Sequence, residues 1–132
     1  MFSEEQINEV AVAMGSFIIE HRLRVWAAAI LPCHVHLVFA RCGRKAELVV
    51  DDLKDSCHER MVAKGIAPFG CSSKKSVWAD GRWIVFLDND TAIESAISYV
   101  VQNPIDEGRV RQAWPFVVPY CGIEFNIVSY RD

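Results

Sequence analysis

The segment from residue 23 to residue 40 constrains the fold of this chain more than any other part of the sequence. It consists of an apolar run, LRVWAAAIL, and a second apolar run, HVHLVFA, which meet at Leu31-Pro32-Cys33. Short apolar runs that contain β-branched and aromatic residues favour strands, and a break this short can join only antiparallel strands. The sequence therefore predicts a β-hairpin with strands near residues 23–31 and 34–40.

His34 and His36 stand two residues apart in the second of these strands. Because side chains alternate between the faces of a strand, both imidazoles should point to the same face. A single histidine on a strand is most often a core or half-exposed residue, whereas two neutral imidazoles side by side form a clip for a divalent ion. Such a clip needs a third ligand to become a metal site.

The rest of the chain predicts a small α+β domain. Apolar residues at helical spacing, with a capping box at Ser3 and Gln6, predict helices over residues 4–20, 46–64 and 91–103. Pro104 lacks a backbone N–H, so we expect it to end the third helix at Asn103. The Asp80-Gly81 turn predicts a further strand near residues 83–87.

The order helix, strand, strand, helix, strand, helix is typical of a ferredoxin-like, split βαβ sandwich that has lost its first strand. We expect an antiparallel sheet with the helices on one face. The missing strand leaves an open sheet edge, for which three alternatives stay open: the C-terminal segment IEFNIV covers it, a partner chain covers it, or it stays uncovered. This edge favours a homodimer that pairs sheet edges.

Composition excludes several classes of protein. No apolar run reaches the roughly 18 residues of a membrane span, and the acidic start, MFSEEQINEV, lacks the basic region of a signal peptide. The odd number of cysteines, 5, indicates reduced thiols and a cytoplasmic location. The net charge of −3 argues mildly against a nucleic-acid binder, but basic residues cluster and allow a basic face: Arg41, Arg44, Lys45, Lys74, Lys75, Arg109 and Arg111.

The third predicted helix carries two further polar side chains, in the segment ISYVVQN. Tyr99 and Asn103 are four residues apart, so they share one face of the helix, about one turn from each other. The apolar residues on the opposite side are expected to pack on the sheet: Ile93, Ala96, Ile97, Val100 and Val101. Taken separately, a helical tyrosine is usually a core aromatic, and an asparagine before proline is usually a helix end.

Taken together and in order, these motifs resemble those of the HUH tyrosine transposases, the small single-domain enzymes of insertion sequences and their REP-associated relatives. The resemblance is carried by HVHL, the LK of the second helix, the tryptophan-containing turn VWADGRW, and Y-x-x-x-N-P. In that family the strand motif is Asn-His-Val-His followed by an apolar residue, and here Cys33 stands in place of the asparagine. The resemblance implies a transposase-like domain over residues 1–112, with residues 113–132 as its C-terminal tail.

The resemblance also implies an activity and a site. It implies that His34, His36 and Asn103 hold Mg²⁺ or Mn²⁺, with Gln102 as a chemical substitute for the asparagine, and that Tyr99 is the nucleophile. The implied reaction is cleavage and strand transfer of single-stranded or hairpin DNA through a 5′-phosphotyrosine intermediate. The residues implied to face DNA are basic: Lys54, Arg41, Arg44, Lys45, Lys74 and Lys75.

Two other interpretations stay open. The first is a zinc-binding module, for which the soft ligands would be Cys33, His36, Cys42, Cys57 and His58. Against it, Cys33 and His36 fall on opposite strand faces, and the cysteines lack zinc-knuckle spacing. The second is a catalytically inactive or domesticated nucleic-acid-binding domain, whose aromatic residues would stack on bases: Trp26, Phe39 and Trp83.

Overall fold

A computed structural model describes residues 2–67 and 86–121. The elements within these ranges are, in chain order, α1 (Glu4–Glu20), β1 (Val25–Ile30), β2 (Val35–Phe39), α2 (Ala46–Ala63) and α3 (Asp90–Asp106). The described part is therefore an α+β arrangement of three helices and a two-stranded antiparallel sheet. The segment IEFNIV and most of the strand predicted near 83–87 lie outside the described residues, and Phe86 and Leu87 are not in a strand.

Local sequence signals explain the ends of the first two helices. Ser3 and Gln6 form the predicted capping box, in which the Ser3 hydroxyl accepts from the Gln6 N–H at 3.2 Å and the Gln6 side chain accepts from the Ser3 N–H at 2.8 Å. After α2, Gly65 has a φ of +71°, a left-handed conformation that glycine adopts without strain. Both helices end within a residue of the predicted bounds.

The two strands form the predicted hairpin, in which Ile30 pairs with Val35 and Ala28 pairs with Leu37. A register shift between Val25 and Ala27 inserts Trp26 as an extra residue in β1. Every residue of β1 is buried, so both faces of this strand are covered.

The helices cover both faces of the sheet. The first face, which carries Val25, Ala28 and Ile30, packs against the buried residues of α1 and α2 in one apolar cluster. The second face, which carries Ala29 and Val38, packs against α3. The expectation that all helices lie on one face is therefore wrong, because small and apolar residues on both sides of β1 allow a helix on either side.

The third helix does not end at Asn103. It begins after Asn89, whose side chain accepts from the Ala92 N–H at 2.8 Å, and it continues to Asp106 with Pro104 inside it. The expectation that Pro104 stops the helix is wrong, because the proline removes its own hydrogen bond while the backbone bonds of the turn that follows it still form. The Glu107 N–H still reaches the Asn103 carbonyl at 3.2 Å, so the turn closes.

The outer edge of β1 is bonded to a later segment of the same chain. The Gln112 amide bonds both backbone groups of Ile30, accepting from its N–H at 2.9 Å and donating to its carbonyl at 2.9 Å. Val117 forms a parallel bridge with Val25, whose carbonyl accepts from the Val118 N–H at 2.8 Å. The edge that favoured a homodimer is thus partly covered from within the chain. Within residues 2–67 and 86–121, no helix is both long and apolar enough to cross a membrane.

Candidate functional site

The histidine pair lies at the start of β2. His34 immediately precedes the strand, and His36 is paired with Ala29 of β1. Their ring centroids are 4.7 Å apart, with an angle of 71° between the planes. Val35 and Leu37, on either side of His36, join the cluster on the first face, so His36 points to the second face, towards α3. The prediction that the two imidazoles lie side by side is confirmed.

Tyr99 of α3 is the aromatic residue that meets this pair. Its ring centroid is 5.8 Å from that of His36, and the two rings are nearly perpendicular at 86°. The tyrosine is 61% exposed, whereas Ile93 and Val100 of the same helix are buried against the sheet. The phenol therefore lies at the surface beside the imidazoles and not in the core. This confirms that the histidines project to the same side as Tyr99.

Asn103 occupies the middle of a row along α3. Tyr99, Asn103 and Glu107 follow one another at intervals of four residues, so they lie along one side of the helix, with Glu107 capping its end. One end of the row meets His36 through Tyr99, and the other end meets His34, whose Nε2 is 3.9 Å from Oε2 of Glu107. The row therefore runs alongside the histidine pair, with Asn103 between the two contacts.

Two polar atoms of this site are buried without a hydrogen-bond partner among the described residues. They are Nε2 of His36 and Oδ1 of Asn103. A buried polar atom without a partner costs about 1–3 kcal/mol, so such atoms are uncommon unless a ligand, ion or water completes them. One imidazole nitrogen and one amide oxygen are suitable ligands for a divalent cation, and both are present here.

Burial and a neighbouring imidazole favour the neutral form of His36. Burial is the main cause that lowers the pKa of His36 below its ordinary value of 6.5, and the charge of His34 lowers it further, while Glu107 acts in the opposite direction. A neutral imidazole has a free lone pair, which metal coordination requires. His36 is thus available as a ligand at neutral pH without first losing a proton.

The residues present fit a weakly bound divalent cation. Within the described ranges, no three His, Cys, Asp or Glu side chains come together in a group that could hold a metal ion. A site with His34 and His36 consequently depends on the Asn103 amide as its third protein ligand. Two imidazoles and an amide suit Mn²⁺ better than Mg²⁺, which prefers oxygen ligands.

The cysteines do not support the zinc interpretation. Cys57 is buried among α1 and α2, where its Sγ contacts the Val10 carbonyl at 3.9 Å, and burial raises the pKa of its thiol to about 12. Zinc binds thiolates, and a thiol with this pKa is protonated at neutral pH. Cys33 and Cys42 are not grouped with it in any metal cluster of the described residues.

Most of the other predicted site residues lie away from the histidine pair. Lys54 belongs to α2, on the first face of the sheet, whereas the pair lies on the second face. Gln102 is exposed, and its Nε2 donates to Asp106 at 3.1 Å, so it does not replace Asn103. Lys74 and Lys75 lie outside the described residues.

The basic residues after β2 are exposed and lie at the opposite end of that strand from His34. Arg41 and Lys45 are exposed, and Arg44 forms an ion pair with Asp52 of α2. A strand of five residues is about 17 Å long, so this group is separated from the histidines by about that distance. DNA would have to extend along β2 to touch both.

The aromatic residues proposed to stack on bases are not a surface platform. Trp26 is only 7% exposed and packs edge-on against Tyr120, with ring centroids 4.7 Å apart. Phe39 is half-buried against the cluster on the first face. That prediction is therefore wrong for these two residues, because Trp26 lies in a strand that is buried throughout and Phe39 packs against the cluster on the first face. Trp83 lies outside the described residues.

Glu107 is the residue of this site that the sequence analysis missed. The sequence does indicate it, because Glu107 follows Asn103 by four residues, as Asn103 follows Tyr99. The assumption that Pro104 ends the helix concealed this signal, because a residue beyond the helix end has no defined helical face.

Comparisons with known proteins found no matching family, no matching curated protein and no matching solved structure. The resemblance to the HUH tyrosine transposases therefore depends on the motif residues and on their arrangement.

Proposed function

We propose that this protein is a metal-dependent transposase of the HUH tyrosine type, which cleaves single-stranded DNA and transfers the strand through a 5′-phosphotyrosine intermediate. In this proposal Tyr99 is the nucleophile, and His34, His36 and Asn103 hold Mg²⁺ or Mn²⁺. One observation carries it: two segments distant in sequence bring together an imidazole pair, an exposed phenol and an amide oxygen that has no partner among the described residues.

The covalent step exchanges one phosphate ester for another. Oη of Tyr99 forms a bond to phosphorus, and the 3′ oxygen of the preceding nucleotide leaves with the electrons of the bond that breaks. The phenol releases its proton to solvent, which its exposure allows, and the departing oxygen takes up a proton to become a 3′-hydroxyl. The number of phosphate ester bonds stays the same, so a second strand end can reverse the step without ATP.

The residues of the chain have distinct roles in this proposal. His36 is neutral and half-buried, so it can hold a cation beside the phenol without competition from a proton. Asn103 offers its buried oxygen one helical turn further along α3. When bound, the cation would neutralise the phosphate oxygens and orient the phosphate for attack.

The partner in this proposal is single-stranded or hairpin DNA. The exposed Arg41 and Lys45 can neutralise phosphates along the strand, and Lys74 and Lys75 remain predicted contacts. We further propose a cytoplasmic location, in keeping with the four described cysteines, which are all free.

A homodimer through sheet edges would have to use the outer side of β2, because the outer side of β1 is bonded to Gln112 and Val118. Light scattering at high protein concentration tests this form of assembly. A monomer under those conditions would exclude it.

The test of the proposed activity is covalent capture. The protein is incubated with Mn²⁺ and hairpin-bearing single-stranded DNA that includes the genomic sequence flanking its own gene, and then run on a denaturing gel. We expect a slower protein–DNA species that resists denaturant. Tyr99→Phe should abolish it and leave the fold intact, since this phenol is exposed. His36→Ala and a chelator should abolish it as well.

Tyr120→Phe is a matched control, because its hydroxyl bonds Asp90 in the first turn of α3, at the opposite end of the helix from Asn103. This variant should form the covalent species as the wild type does. If the DNA is bound but is never captured, the alternative of a catalytically inactive nucleic-acid-binding domain replaces the proposed function.

A further inference from the structure

Glu107 stands in an unfavourable position for the stability of α3 alone. It caps the C-terminal end of that helix directly after Asp106, and the last turn contains no basic residue. The C-terminal end of a helix carries a partial negative charge, so a carboxylate there is unfavourable for the helix. Helix stability does not explain this residue.

The position of Glu107 does bring its carboxylate to the histidine pair. Oε2 lies 3.9 Å from Nε2 of His34, with both side chains half-exposed at 44% and 42%. The Glu107 N–H donates to the Asn103 carbonyl at 3.2 Å, and the N–H of the next residue, Gly108, donates to the Ile105 carbonyl at 3.0 Å. The carboxylate therefore starts from a fixed backbone position, and the proposed hydrogen bond requires it to move closer to the imidazole than 3.9 Å.

Metal-binding histidines commonly donate their second ring N–H to a carboxylate, which fixes the orientation of the ring and makes it a better ligand. In His34 the nitrogen that faces Glu107 is Nε2, so Nδ1 is the nitrogen left for the cation. His36 offers Nε2 without a partner among the described residues. The two imidazoles would thus bind through different ring nitrogens.

We propose that Glu107 is a positioning residue for the metal site: it accepts a hydrogen bond from Nε2–H of His34 and holds that ring with Nδ1 towards the cation. The inference rests on the proposed function, because it presupposes a divalent cation on the histidine pair. It adds a residue eight positions after the nucleophile to the functional part of α3.

The experiment measures Mn²⁺ binding to the full chain by titration calorimetry, without DNA. Glu107→Ala should weaken binding about 10- to 100-fold, the usual loss when a carboxylate that orients a histidine ligand is removed. Glu107→Gln keeps an oxygen that accepts the same hydrogen bond, so it should recover most of the affinity. Glu94→Ala is the matched control, because it removes an exposed carboxylate from the first half of the same helix and should leave binding unchanged.

The outcomes separate this inference from the proposed function. If the wild type binds Mn²⁺ and Glu107→Ala binds it within about twofold of the wild type, the positioning role is refuted while the metal site stands. If Glu107→Gln is as weak as Glu107→Ala, the carboxylate acts through its charge and the hydrogen-bond role is refuted. If the wild type binds no Mn²⁺, or if it binds Mn²⁺ and His36→Ala and Asn103→Ala bind it equally well, the metal site of the proposed function fails and the positioning role fails with it.

Discussion

Replacing Gln112 with methionine removes the amide that closes the outer edge of β1 and keeps a side chain of similar length. In the wild type, this amide bonds both the N–H and the carbonyl of Ile30 at 2.9 Å. It joins positions that are 82 residues apart. Its Oε1 also accepts from the Trp114 indole N–H at 3.1 Å.

The cost of this change follows from the burial of Ile30. A typical hydrogen bond contributes about 1 kcal/mol net, and a buried group left without a partner costs about 1–3 kcal/mol. Ile30 is 0% exposed, so water cannot readily replace the lost amide. With both backbone groups of Ile30 affected, we expect Gln112→Met to lower the free energy of unfolding by about 2–6 kcal/mol.

Urea denaturation followed by circular dichroism measures this quantity. Gln112→Met and Gln112→Ala should lower the free energy of unfolding by similar amounts, because the loss comes from the hydrogen bonds and not from the packing of the side chain. Gln102→Met is the matched control, since its side chain bonds Asp106 in an exposed position and should cost less than about 0.5 kcal/mol. The slope of the unfolding free energy against urea concentration should stay the same if the substitution destabilises only the native state.

A loss of less than about 0.5 kcal/mol in Gln112→Met, with an unchanged urea dependence, would refute the reasoning. It would mean that the edge of β1 does not depend on the later segment. A large loss in Gln112→Ala alone would point instead to packing of the side chain.

Three further predictions concern burial and charge. Met61→Ala should cost about 2–5 kcal/mol in urea denaturation, because Met61 is 0% exposed, while Ile19→Ala, at a position 76% exposed, should be nearly neutral. Cys57 has a thiol pKa of about 12, so it should react slowly with an alkylating reagent in the native protein, while exposed Cys33 reacts readily. Mass mapping of the alkylated sites measures this difference. Folding lowers the pKa of His36, so below about pH 6.5 the unfolded chain binds more protons than the folded chain. The free energy of unfolding should therefore decrease between about pH 7.5 and pH 5.5, and this decrease should be larger in the wild type than in His36→Gln.

The parts of the fold that local chemistry dictates could be predicted from the sequence. The capping box at Ser3, the hairpin around Pro32 and the glycine stop after α2 depend on neighbouring residues only. The same holds for the shared face of His34 and His36, which follows from the alternation of side chains along a strand.

The candidate site could be predicted only in part. Tyr99 and Asn103 were identified from their spacing, and their row now includes Glu107 because α3 continues through Pro104. Whether a proline ends a helix depends on how many bonds remain beyond it, and this cannot be read from the proline alone. Lys54 shared the family pattern, but its helix packs on the other face of the sheet.

By itself, the sequence determined α1, α2, the hairpin and which chemical groups the chain has to offer, because periodicity and capping act over a few residues. The tertiary structure alone decided that α3 packs opposite α1 and α2, that Gln112 closes the edge at Ile30, and that the phenol meets the imidazoles. These contacts join residues far apart in the chain, and they form because burying both faces of one strand stabilises the fold more than burying one.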